Sequence, residues 1–247
     1  MTTTARRTDD KGTRRKPYLM DFYGTAVGKK WVMAVTGIFL LGFVLFHMFG
    51  NLKLYLGADT AGIFAADHYG EWLREFGEPL LPRTVFLWLF RAALIGAFAL
   101  HIHAAYSLTV MNWRARPTRY QAKRDYLVAN YASRTMRWSG VIVAAFLLFH
   151  LADLTWGNVN GEFVRGDVQA NVVASFERWP VAVFYILANL LLGIHIFHGA
   201  WSLFQSIGWN NPRFNEWRKW FAWAFAAVIV IGNVSFPVMV LAGVIQV

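Results

Sequence analysis

The 247-residue chain contains no cysteine. It can form no disulfide and no thiolate metal site of its own, so an iron–sulfur cluster with cysteine ligands would have to draw them from another chain. Charge is also scarce: Asp, Glu, Lys and Arg make up 15% of the residues, and only 14 of them are acidic. Soluble domains average about 25% charge. The opening stretch "MTTTARRTDDKGTRRKPY" lacks a short apolar core followed by a small-residue cleavage site. It reads as a basic tail, covering residues 1–28, and not as a cleaved signal peptide.

What fills the chain instead is hydrocarbon. Hydrophobic residues make up 57%, with 12 Trp and 21 Phe. Five apolar runs approach or exceed the roughly 20 residues needed to cross a bilayer. The expected fold is an all-α polytopic membrane protein whose helices cover about residues 31–56, 84–113, 138–156, 180–208 and 217–244. Trp31, Trp113, Trp138, Trp156, Trp179, Trp209 and Trp217 mark the proposed ends, as an aromatic belt would. Pro237 is expected to kink the last helix.

The net charge of +10 would suggest nucleic acid in a soluble protein. Here its placement says otherwise. Eighteen of the 24 basic residues fall before the first helix, between the second and third, or between the fourth and fifth. The acids Asp59, Asp67, Glu71, Glu75, Glu78, Glu162, Asp167 and Glu177 fall in the other two connections. Positive charge on one side sets a cytoplasmic N-terminus, with anionic headgroups, and not nucleic acid, as the basic side's first partner.

The first and third helices repeat each other. "TGIFLLGFVLFHMF" and "SGVIVAAFLLFHLA" both place a histidine, His47 or His150, ten residues after a glycine, Gly37 or Gly140. The second and fourth helices share "HAAYSL" from His103 and "HGAWSL" from His198. A two-helix unit has been duplicated. At about 1.5 Å per residue, His47 lies roughly 25 Å from the cytoplasmic end and His150 roughly 20 Å. They form an outer pair. One of His101 or His103, with one of His195 or His198, forms an inner pair. His101 and His103 differ by about 200° around the axis, so only one can face a given centre; His195 and His198 share a face.

Ionisable side chains inside a membrane are costly and mark function. Neutral imidazole is a strong iron ligand, and two imidazoles from facing helices can hold a haem within a bundle. Two such centres at two depths would carry electrons across the membrane. A non-redox chain, a transporter or assembly protein with histidines that only join helices, is the competing reading.

The motifs Gly-x9-His on the first and third helices, "HIHAAYSLTVMNWRARPTRY" and "HIFHGAWSLFQSIGW" resemble the single-chain, five-helix cytochrome b membrane anchors of succinate:quinone oxidoreductases and fumarate reductases. The resemblance covers nearly everything after the tail. It implies a bacterial plasma-membrane complex, respiratory complex II, with an FAD-containing flavoprotein and an iron–sulfur subunit on the cytoplasmic side. Electrons would pass through this chain to menaquinone or ubiquinone. It implies haem b, one or two, with His47 and His150 on the outer centre and His101 and His195 on the inner. The repeat instead pairs His103 with His198. A Rieske-type [2Fe–2S] cluster is the alternative centre; it takes two histidines and two cysteines, and the latter would come from the iron–sulfur subunit. The anchor of a formate dehydrogenase or hydrogenase is the alternative family. Candidate quinone residues are Trp31, Arg137, Ser139 and His198 on the cytoplasmic side, and Asp153 and Trp156 on the other. Asp153 could relay protons or simply sit in the headgroup layer. Arg91 could meet a haem propionate or snorkel to the interface.

Overall fold

The apolar runs contain little that would break a helical ladder, and short polar residues at their borders take up the free backbone groups. The computed structural model describes residues 17–115, 131–209 and 211–247. Among them are eight α-helices: α1 (Tyr18–Gly24), α2 (Ala26–Asn51), α3 (Ala65–Glu75), α4 (Val85–Arg114), α5 (Tyr131–Leu154), α6 (Val168–Glu177), α7 (Trp179–Ser206) and α8 (Pro212–Leu241). Helices α2, α4, α5, α7 and α8 are long and apolar enough to cross a membrane. The fold is therefore all-α and polytopic. The tail before Pro17 and the connection 116–130, which hold most of the basic residues counted above, lie outside the described residues.

Thr25 caps α2 by accepting the Gly28 amide at 2.9 Å, and Asp167 caps α6 by accepting the Ala170 amide at 3.1 Å. Asn211 accepts the Arg213 amide at 2.9 Å, with Pro212 opening α8. Each such cap contributes about 1 kcal/mol. Helices α2 and α8 both begin some five residues before the apolar run does. Lys29, Lys30, Arg213, Arg218 and Lys219 favour helix as well as leucine does, so hydropathy marks where lipid starts and not where the helix starts. Helices α1, α3 and α6 are too short and polar-flanked to announce themselves by hydropathy.

Helix α2 packs on α4 and α5 packs on α7, so each half of the sequence repeat is an antiparallel hairpin. Helix α8 runs along α7 in the most extensive contact of the bundle. The halves meet where α2 touches α7 and α8, whereas α4 makes no extended contact with α5 or α7. Met48, Tyr185, Ile196, Ala226, Ile229 and Phe236 lie in the shared core. Trp88, Ile95, Leu148 and Ile231 point outwards and stay exposed, as lipid-facing side chains do. Small residues let such helices approach closely. At Gly193 an added Cβ would run into Val230 Cγ2 of α8.

Short helices α3 and α6 close one end. Asp67 of α3 accepts the amides of Val168 and Gln169 at the start of α6, at 2.5 and 3.0 Å. Gln169 Nε2 donates to the Gln246 carbonyl at 3.0 Å, which ties the last residues to the same cap. In the loop before α3, Asp59 accepts from the Ala61 and Ile63 amides at 2.8 and 3.0 Å and contacts His68 Nε2 at 2.8 Å. The His68 contact first, then these amides, hold the exposed Asp59 carboxyl below the ordinary carboxylate range.

Gly193→Val should force α7 from α8 and cost about 1–3 kcal/mol, the usual range for overpacking; a thermal unfolding curve in detergent that does not move contradicts this packing. The Asp59 carboxyl is depressed in the fold, so its contribution is complete above about pH 4 and is lost as pH falls through the folded value. Hydrogen-exchange protection of the Ala61 and Ile63 amides should fall on acidification; protection that persists below pH ~3 refutes the role given to the carboxylate.

Candidate functional site

The inner level is built twice from the same parts. Thr36 Oγ1 donates its hydrogen to the Val32 carbonyl one turn back, at 2.6 Å. His101 Nδ1 of α4 lies 3.1 Å from that oxygen. The hydroxyl hydrogen is already committed, so the imidazole is the donor and carries its hydrogen on Nδ1. Ser139 does the same in the second half: its hydroxyl donates to the Met136 carbonyl at 3.0 Å and its oxygen lies 3.2 Å from His195 Nδ1. The next residue in each case is glycine. A Cβ on Gly37 would sit 3.6 Å from His101 Cε1, and one on Gly140 would sit 3.4 Å from His195 Cε1. The rings therefore lie against bare helix backbone. His101 and His195 come within electrostatic range of each other across the space between α4 and α7.

The outer level joins α2 and α5. The rings of His47 and His150 lie 5.8 Å apart, nearly perpendicular at 85°. Phe43 stacks on His47 at 5.3 Å, and Phe146, its repeat counterpart, lies 5.9 Å from His150. His150 Nδ1 faces Tyr185 Oη at 3.4 Å. Tyr185 in turn donates to Asp153 Oδ2 at 2.9 Å, so here too the imidazole is the donor. His47 and His150 follow Thr36–Gly37 and Ser139–Gly140 by ten residues or so, which separates the two levels by about 15 Å along the helices.

The remaining histidines are placed differently. His103 is exposed and meets α1, where Tyr23 Oη hydrogen-bonds its Nδ1 and the two rings stack at 5.8 Å. His198 shares a face of α7 with His195, but its Nδ1 is buried without a hydrogen-bond partner. One turn on, Trp201 Nε1 is also buried without one. His101 and His195 are thus equivalent by position, while His103 and His198 are equivalent by motif. The spacing between the two differs by one residue: two in α4, three in α7.

Of the other candidates, Ser139 is committed to His195. Asp153 is not in a headgroup layer: it is fully buried, held by Ser175 Oγ, by Tyr185, and by an ion pair with Arg178 at 2.6 Å. Trp156 lies beyond the end of α5 and is 57% exposed, away from His150. Arg137 packs over the Trp113 ring at 5.6 Å, Arg91 over Trp88 at 5.0 Å, and Trp31 is partly exposed. Thr36, Tyr185, Ser175, Arg178 and Trp201 were not singled out from sequence. Aligning Thr36 with Ser139, each one residue before the repeat glycine, would have found the first of them.

Each level offers two imidazoles, and no group of three or more His, Cys, Asp or Glu gathers among the described residues. A bare ion with two protein ligands would be under-coordinated. A macrocycle that brings its own in-plane nitrogens needs just two axial ligands. The 5.8 Å between His47 and His150 is close to the roughly 6 Å set by two imidazoles bridged through one metal at about 2 Å per bond. The residues fit haem iron.

Five membrane-length helices with imidazole pairs at two depths define a polytopic membrane protein built around intramembrane histidine sites. Residues 114–234, about half of the chain, match the family described as succinate dehydrogenase/fumarate reductase transmembrane subunit. The chain belongs to this family of membrane anchors. The matched stretch contains His150, Asp153, His195 and His198, and the first hairpin joins them through the repeat. Comparison with curated proteins and with solved structures returned no match.

Thr36→Val or Ser139→Ala removes the acceptor for one imidazole hydrogen at the inner level. Partners of this kind are worth about 10–100-fold in metal affinity. Ferric protoporphyrin titrated into the purified variants should bind the inner level more weakly by that order; unchanged binding would show that the hydroxyls do not position the rings.

Proposed function

We propose that this chain is the electron-transfer anchor of a succinate:quinone oxidoreductase. It would dock an iron–sulfur subunit, which receives electrons from an FAD-containing flavoprotein, and pass them to menaquinone or ubiquinone in a bacterial plasma membrane. The observation that carries this reading is the pair of imidazole levels in which Nδ1 of His101, His195 and His150 is bonded away, so that Nε2 keeps its lone pair. His47 and His150 would hold the outer haem b, and His101 and His195 the inner. Bound there, haem b supplies one-electron transfer between the two depths.

The chain's own residues do the rest. Gly37 and Gly140 let the inner rings approach the helix backbone, and Thr36 and Ser139 keep them from rotating. His198 and Trp201, one turn apart on α7 and without partners, would bind the carbonyl of a quinone: Trp201 as a donor, and His198 as donor or acceptor. The apolar faces of the bundle leave room for its tail. The excess of basic residues at the α1 end favours that end as cytoplasmic. A cluster of the Rieske type would use the same histidines but requires two thiolates that this chain does not have.

The reduced-minus-oxidised optical spectrum of the purified complex should show two haem b per anchor. His195→Ala should remove one of them and abolish quinone reduction, while succinate oxidation by an artificial acceptor continues. His198→Ala should keep both haems and raise KM for quinone. A complex with iron and acid-labile sulfide but no haem band overturns the haem assignment, and a His195→Ala complex that still reduces quinone normally overturns the ligand assignment.

A further inference from the structure

The two levels differ in what stands behind the ligands. At the inner level each imidazole hydrogen meets a hydroxyl whose own hydrogen ends on a neutral backbone carbonyl. At the outer level the path runs from His150 Nδ1 to Tyr185 Oη at 3.4 Å and on to Asp153 Oδ2 at 2.9 Å. Asp153 is completely buried. Its carboxylate also accepts from Ser175 Oγ and from Arg178 Nη2, and Arg178 Nη1 is anchored on the Val159 carbonyl at 2.7 Å. Asp153 belongs to the second half alone: the position in register with it in the first half is Gly50. A buried carboxylate without a task would be an expensive retention, since a well-packed apolar residue serves stability at least as well.

We propose that Tyr185 and Asp153 are positioning residues for His150 that also set the reduction potential of the centre it holds, with Arg178 offsetting part of the carboxylate's charge. The proposal rests on His47 and His150 being ligands. A carboxylate reached through hydrogen bonds makes an imidazole a stronger donor and favours the oxidised metal. The guanidinium acts in the opposite sense through the same carboxylate. The outer centre is therefore held at a lower potential than its two imidazoles alone would give, and the inner centre has no such control.

The test is an optically monitored redox titration of the purified complex, in which the transition lost in His47→Ala identifies the outer centre. Tyr185→Phe, which keeps the ring and its packing, and Asp153→Asn, which keeps the volume, should both raise the outer potential and leave the inner one in place. Arg178→Gln should lower it. A shift worth about a tenfold change in the oxidised-to-reduced ratio at fixed potential, about 59 mV for one electron, is the expected scale for Asp153→Asn. Should Asp153→Asn fail to assemble, Tyr185→Phe and Arg178→Gln carry the test by their opposite signs. An outer potential that does not move, that moves the same way in all variants, or that moves together with the inner one overturns the proposal while leaving two centres in place. A complex with no titrating iron in this chain overturns the ligand assignment itself.

Discussion

An imidazole inside an apolar helix has one hydrogen and one lone pair, and hydrocarbon satisfies neither. The protein answers the first demand with side chains whose own hydrogens are already spent: Thr36 and Ser139 on helix carbonyls, Tyr185 on a carboxylate. The lone pair is then left on the far nitrogen. Much else follows from that constraint. The hydroxyl must sit on a neighbouring helix at the right height, a glycine must follow it so that the ring can lie close, and the two hairpins must stay apart at α4 for the far nitrogens to share a space.

The duplication supplies the inner level almost unaided. Methionine, hydroxyl, glycine and histidine recur in register between α2 and α5, and the partner histidines follow on α4 and α7. The outer level is a mixture. Its two histidines come from the repeat, but the network behind His150 draws on α6 and α7 and has no equivalent in the first half. The membrane-spanning unit was copied, and one end was then modified where the short helices fold over it.

Lipid made much of this legible from sequence. A bilayer demands long apolar runs, and a run of that length with one histidine at a fixed distance from a glycine is visible by eye; so were the five helices and the two depths. The choice within each histidine doublet was not, because it depends on rotation. One residue turns a helix by about 100°, and α7 carries one residue more than α4 between its two histidines. Motif alignment and spatial alignment therefore disagree, and each is right about something different. Asp153 was misplaced for another reason. At the end of an apolar run a carboxylate looks like a headgroup contact, and only the fold-back of α6, a ten-residue helix with no membrane signature, shows that it is enclosed.

That extra residue in α7 has a consequence for the protein's history. Two freshly duplicated hairpins can exchange parts, since each copy fits where the other did. Once α7 had gained its residue, everything beyond it was turned by about a quarter circle relative to α4. The segment after His195 now faces α8, which the first hairpin does not have to accommodate, and the segment after His101 faces α1. The halves can still be recognised as copies, yet neither can be repaired from the other.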